Sequence, residues 1–117
     1  MANNIVWCDI PVKDLDRSIR FYSAVTGQQI AKQDYPNFSI GMLPENSGCL
    51  YVAGNENAPS ETGLLVYFDC SGRLDEAVAQ VESHSGKVIQ PKHPIGPHGF
   101  RALVLDSEGN RIALHSM

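Results

Sequence analysis

Apolar positions recur along the chain with two different periods. Leu15, Ile19 and Tyr22 stand at i, i+4 and i+7, the stripe of a helix that buries one face, and predict a helix over 15–25. Asp14 is placed to cap its start and Gly27 to stop it in the left-handed conformation. Leu74, Val78 and Val81 repeat the spacing and predict a second helix over 74–84, with Gly86 as the matching stop. Short apolar runs bounded by turn formers predict strands over 5–10, 28–34, 38–43 and 49–53 in the first half. The second half offers 64–68, 87–90, 100–105 and 111–115. The segments 44–48 and 106–110 are rich in turn residues.

The landmarks superpose at one offset of 59 residues: Leu15 on Leu74, Ile19 on Val78, Tyr22 on Val81, Gly27 on Gly86 and Ile30 on Ile89. The chain therefore reads as one unit written twice. Each half is β-α-β-β-β, so the fold class is α+β. The 117 residues form a single domain, with module one over 4–53, a linker over 54–62 and module two over 63–116. Each module is expected to be a curved open sheet with its helix outside, the two sheets curling around a cleft.

Strand alternation assigns the faces. Val6, Cys8 and Ile10, then Val66, Phe68 and Cys70, then Ile112 and Leu114, suit the helix side. Trp7, Asp9 and Pro11, then Leu65, Tyr67 and Asp69, then Arg111, Ala113 and His115, take the cleft side. A turn closed by Asp106 and Asn110 sets Arg101 opposite His115 and Leu103 opposite Ala113. Trp7, Asp9, Leu65, Tyr67, Arg101, Ala113 and His115 are the candidate ligand-binding residues. Apolar walls with a few placed polar groups are the usual makeup of a small-molecule pocket.

The net charge is −4 and no cluster of Lys or Arg exists, which leaves no cationic groove for nucleic acid. No apolar run approaches the roughly 20 residues needed to span a bilayer, so no membrane association is expected. Residues 1–4 lack a charged and apolar leader, which makes a cytoplasmic protein the expectation. Cys8, Cys49 and Cys70 lie far apart without a CxxC motif and read as small buried hydrophobes. His84 falls near a helix C-terminus, where positive charge is welcome. His93 and His98 fall in a Pro/Gly-rich loop, read as a polar loop or as a lid on the cleft.

Two phrases carry a resemblance. The run from Asp9 through Tyr22, including Pro11-Val12, Asp14-Leu15 and Arg17-Ser18-Ile19, is one; Leu105-Asp106 with Glu108-Gly109-Asn110, Ile112 and Leu114 is the other. With the repeat, they resemble the vicinal oxygen chelate superfamily: glyoxalase I, the bleomycin- and fosfomycin-resistance proteins and the extradiol dioxygenases. The likeness is nearest to its small glyoxalase-like proteins of unassigned activity. It implies a divalent ion held by strand His and Glu residues. The positions that would hold it fall on Trp7, Leu65 and Ala113 and on the strand 48–53, which brings only Cys49 and Tyr51. Indole, isobutyl and methyl groups offer no lone pair to a cation, so no metal and no other cofactor is expected.

Three readings of function follow. The first is a metal-free small-molecule binding protein. The second is a metal-free or relocated-site enzyme, lyase- or isomerase-like, with Asp9 and His115 as acid–base groups. The third is a module acting only through protein contacts. A homodimer is expected, implied by the resemblance and by strand edges over 28–33 and 38–43 that carry few charges.

Overall fold

The computed structural model describes residues 5–55 and 57–117; residues 1–4, read for a leader, and position 56 in the linker lie outside them. The elements run β1 (Cys8–Val12), α1 (Leu15–Thr26), β2 (Ala31–Asp34), β3 (Ser39–Met42), β4 (Gly48–Val52), β5 (Val66–Asp69), α2 (Leu74–Val81), β6 (Lys87–Pro94), β7 (Phe100–Leu105) and β8 (Arg111–Ser116). They make two four-stranded sheets of order β1-β4-β3-β2 and β5-β8-β7-β6. The same order in each, with the first strand parallel to the last and the rest antiparallel, is the predicted β-α-β-β-β module repeated.

The first helix forms as its sequence dictates. The Asp14 side chain accepts from the Arg17 N–H at 3.0 Å, and Gly27 closes the helix at φ 73°. Its buried face is Ser18, Phe21, Tyr22, Val25 and Thr26, with Leu15 and Ile19 at the margin. The second helix departs from its predicted stop. It ends at Val81, tightens into one 3-10 turn over Glu82–His84, and reverses at Ser85, φ 71°. Gly86 is needed for a different reason: a Cβ there would lie 2.6 Å from both the Leu105 carbonyl oxygen and the Phe21 ring. His84 does serve the helix end, its Nδ1 3.0 Å from the Gln80 carbonyl.

Each sheet lays one face on the helices, and α1 and α2 also touch each other. The modules therefore share one core. It contains Ile10, Val12 and Leu50 from the first sheet, Val104, Ile112 and Leu114 from the second, and Phe21, Tyr22, Val25, Leu74, Ala77 and Val81 from the helices. At the centre the Tyr22 ring contacts Phe21 at 5.1 Å and Phe68 at 5.2 Å.

The two signature phrases meet across this core. Tyr22 donates its hydroxyl to Asp106 at 2.5 Å, and Asp106 also accepts the backbone N–H groups of Glu108 and Asn110. Asn110 donates to the Pro11 carbonyl at 2.8 Å. The buried Glu108 carboxylate accepts two bonds from Arg17, the backbone N–H groups of Lys13 and Asp14, and the Ser107 hydroxyl. Burial alone would push that carboxyl up; the bonds from Arg17, Ser107 and the Asp14 and Lys13 amides outweigh it and hold it at about 2. The 106–110 turn thus locks module two onto the first β1–α1 junction.

Three strand expectations need correction. The strand predicted over 5–10 begins only at Cys8, because its parallel partner β4 starts opposite, at Gly48; Ile5 and Val6 find no ladder and are exposed rather than packed under the helix. The 38–43 strand is interior, between β4 and β2, so the exposed edges are β1, β2, β5 and β6. The strand predicted over 87–90 continues to Pro94, since an edge strand with register shifts tolerates Pro91.

Candidate functional site

The second sheet turns Tyr67, Arg101 and His115 away from the helices, and register brings them together. Arg101 pairs with His115 across β7–β8, as the Asp106–Asn110 turn requires, and Tyr67 pairs with Ala113 across β5–β8. The chain from β6 to β7 closes over them, so Tyr67, Ile95, His98, Arg101 and His115 line an open hollow of about 500 Å³. Ala113 and Leu103, opposite each other as predicted, are buried in the middle of the sheet.

Hydrogen bonds fix the groups around this hollow. Arg101 donates from Nη1 to the Tyr67 hydroxyl at 2.6 Å and from Nε to His93 Nε2 at 3.0 Å. A guanidinium only donates, so His93 Nε2 accepts, and its Nδ1, 2.8 Å from the Pro91 carbonyl, carries the proton. The same reasoning puts a proton on His115 Nε2, which lies 2.6 Å from the His98 carbonyl. His93, read as a loop residue, is a strand residue opposite Arg101. Its part was hidden because Pro91 masked the continuation of β6. Asp69, opposite His115 on the same face, is held below the usual carboxylate range by its bonds from Ser71, with His115 contributing.

The first sheet has its own hollow, of about 570 Å³, lined by Asp9, Phe38, Ile40, Cys49 and Tyr51 among others. Asp9 accepts from the Trp7 indole at 2.6 Å and from the Cys49 thiol at 3.4 Å. Burial, reinforced by the adjoining Asp9 carboxylate, pushes that thiol up to about 11. Cys49 is thus a protonated donor. A smaller hollow of about 310 Å³ separates the facing edges, with Cys8 to Pro11 on one side and Leu64 and Val66 on the other.

The candidate residues therefore divide. Tyr67, Arg101 and His115 come together with Ala113 beneath them; Trp7 and Asp9 belong to the first sheet. The hollow beside the second sheet and the hollow beside the first are distinct, because the shared core lies on the helix faces of both sheets. Asp9 and His115 line different hollows. Leu65 lies partly buried just ahead of β5. The residues at the metal positions do not fit a divalent cation: Trp7, Leu65 and Ala113 bring no donor atom, which leaves only the Cys49 thiol and the Tyr51 phenol on the remaining strand. Among the described residues no three His, Cys, Asp or Glu side chains converge, and no helix is long and apolar enough to cross a membrane.

The family model described as Glyoxalase/Bleomycin resistance protein/Dioxygenase superfamily matches residues 4–114. No curated protein matches the chain. Among solved structures, a glyoxalase/bleomycin resistance protein from Albidiferax ferrireducens superposes with a TM-score of 0.79 at 18% identity, covering 98% of this chain and 99% of that one. A glyoxalase-related enzyme from Fulvimarina pelagi gives 0.74 at 15% identity, over 99% and 89%. A fosfomycin resistance protein from Listeria monocytogenes gives 0.70 at 15% identity, over 100% and 95%.

Proposed function

This chain belongs to the Glyoxalase/Bleomycin resistance protein/Dioxygenase superfamily, and from that premise we propose that it is a metal-free small-molecule binding protein whose ligand occupies the hollow of the second sheet. The observation that carries the reading is the Tyr67–Arg101–His93 chain at the rim of that hollow. Its side chains are held in place before any ligand arrives, which lowers the ordering cost of binding. The hollow's size falls in the range of small-molecule sites, and Tyr67 and Ile95 give it apolar surface. The test is a thermal-shift screen against aromatic, sugar and thiol-conjugate ligands, followed by amide-shift mapping of the hits. Shifts centred on Tyr67, Arg101 and His115 support the reading. Hits that move only residues around Asp9 and Tyr51, or none at all, overturn it.

We also propose that the chain works as a homodimer. Phe38, Val52, Leu64 and Tyr67 are exposed, and β2 and β5 are edge strands, each paired on one side only among the described residues. A twofold mate would cover these surfaces and lay the Trp7–Asp9 side of one chain against the Tyr67–His115 side of the other.

A further inference from the structure

We propose that the ligand of the second-sheet hollow is a small organic anion, a carboxylate or phosphonate on an apolar body, with its acid group on Arg101; this rests on the binding role proposed for that hollow. Arg101 carries an unbalanced charge. Among the described residues the salt bridges are Arg17–Glu108, Lys32–Asp16 and Lys92–Asp75, and Arg101 has no carboxylate partner. Its two hydrogen bonds go to a phenol and an imidazole, which are neutral acceptors. A guanidinium has five N–H donors, so these two bonds leave donors on both terminal nitrogens for a ligand.

The lining of the hollow repeats the theme. Tyr67, His98, His115 and Arg101 are phenol, imidazoles and guanidinium, and Ile95 is apolar; no carboxylate is among them. Asp69 shares the face, but it is spent on the turn at Ser71. This cationic pocket sits in a chain of net charge −4, so it is a local feature. The Tyr67 hydroxyl accepts from Arg101 and keeps its own proton to donate. Arg101 and Tyr67 therefore present adjacent donors, a match for the two or three oxygens of an acid group. The Tyr67 ring and Ile95 supply surface for the apolar remainder of the molecule.

His93 acts in this scheme as a positioning residue. It holds Nε of Arg101 from behind, in β6, and so aims the terminal nitrogens into the hollow.

The experiment is calorimetric titration of the full chain with benzoate, phenylphosphonate, benzamide and benzamidine, four probes of similar shape and different charge. The expected result is binding of benzoate or phenylphosphonate that weakens as salt is raised. Benzamide should bind about tenfold or more weakly, a difference near 1.4 kcal/mol, and benzamidine not measurably. Arg101→Gln should lower anion affinity by at least about tenfold, and Arg101→Lys by less, with the melting temperature confirming that both fold. Equal binding of benzamide and benzoate, or unchanged anion affinity in Arg101→Gln, overturns the anion assignment. If that equal binding is lost in Tyr67→Ala, the hollow remains a binding site and only the charge preference fails. Absence of binding by all four probes overturns the assignment and counts against the hollow as a ligand site as well.

Discussion

Arg17 and Glu108, 91 residues apart in the chain, form a two-point ion pair: Nε to Oε2 at 2.7 Å and Nη2 to Oε1 at 2.8 Å. Arg17 comes from the first helix and Glu108 from the last turn, so the pair fastens one module to the other. The acid side chain is fully covered while the Arg17 side chain is 38% exposed. Removing Arg17 would leave a buried charge without compensation, whereas removing Glu108 leaves a cation that water can reach. Glu108→Ala strands the Lys13 and Asp14 amides and loses the ion pair, and should destabilise the protein by about 1–3 kcal/mol in urea unfolding. A loss below about 1 kcal/mol would contradict the locking role.

The same carboxylate predicts an acid limit. Its folded value of about 2 lies below the ordinary 4.5. Above the ordinary value both folded and unfolded chains carry the charge, and the stabilisation is complete. As pH falls from about 4.5 toward 2 the unfolded chain takes up the proton first, and up to about 3 kcal/mol is lost. Unfolding free energy measured from pH 6 to pH 2.5 should fall across this window, and the fall should be smaller in Glu108→Gln.

Tyr22 makes a separate contribution at the same junction. Burial first, then the neighbouring Asp106 carboxylate, raises its phenol well above the ordinary range, so it stays a donor. Tyr22→Phe keeps the ring contacts and removes only the hydroxyl. The cost should be about 1–3 kcal/mol, because Asp106 Oδ2 keeps only its bond from Asn110.

Cys49 should be chemically quiet. With its thiol pushed up to about 11 and its side chain nearly enclosed, little thiolate exists at neutral pH. Titration with a thiol-specific disulfide reagent at pH 7.5 should modify Cys49 far more slowly in the folded chain than in denaturant. Asp9→Asn removes the adjoining negative charge and should speed the reaction.

Much of this fold was legible because its determinants are local. Asp14 and Gly27 bracket the first helix from within a few residues, and the Asp106–Asn110 turn dictates that Arg101 meets His115. What the sequence concealed depends on distant partners. Nothing near residue 5 reveals that β4 begins at Gly48 and leaves Ile5 and Val6 without a ladder. Gly86 looked like a copy of Gly27, yet it is required by the Phe21 ring and Leu105 from other elements. Arg17 and Glu108 lie 91 residues apart, and nothing local to either shows that the fold brings them together. The candidate site was half legible for the same reason. Alternation gave the facing of Asp9, Tyr67 and His115 correctly, but how two sheets share a core is not written in the period of either.

The central claim is that the second-sheet hollow receives the ligand. The most direct measurement is a high-resolution crystal structure of the protein soaked with a hit from the thermal-shift screen. Ordered density is expected between Tyr67, Arg101 and His115, within hydrogen-bond distance of the guanidinium. Density confined to the hollow at Asp9, Cys49 and Tyr51, with the space beside Arg101 filled only by water, would contradict it.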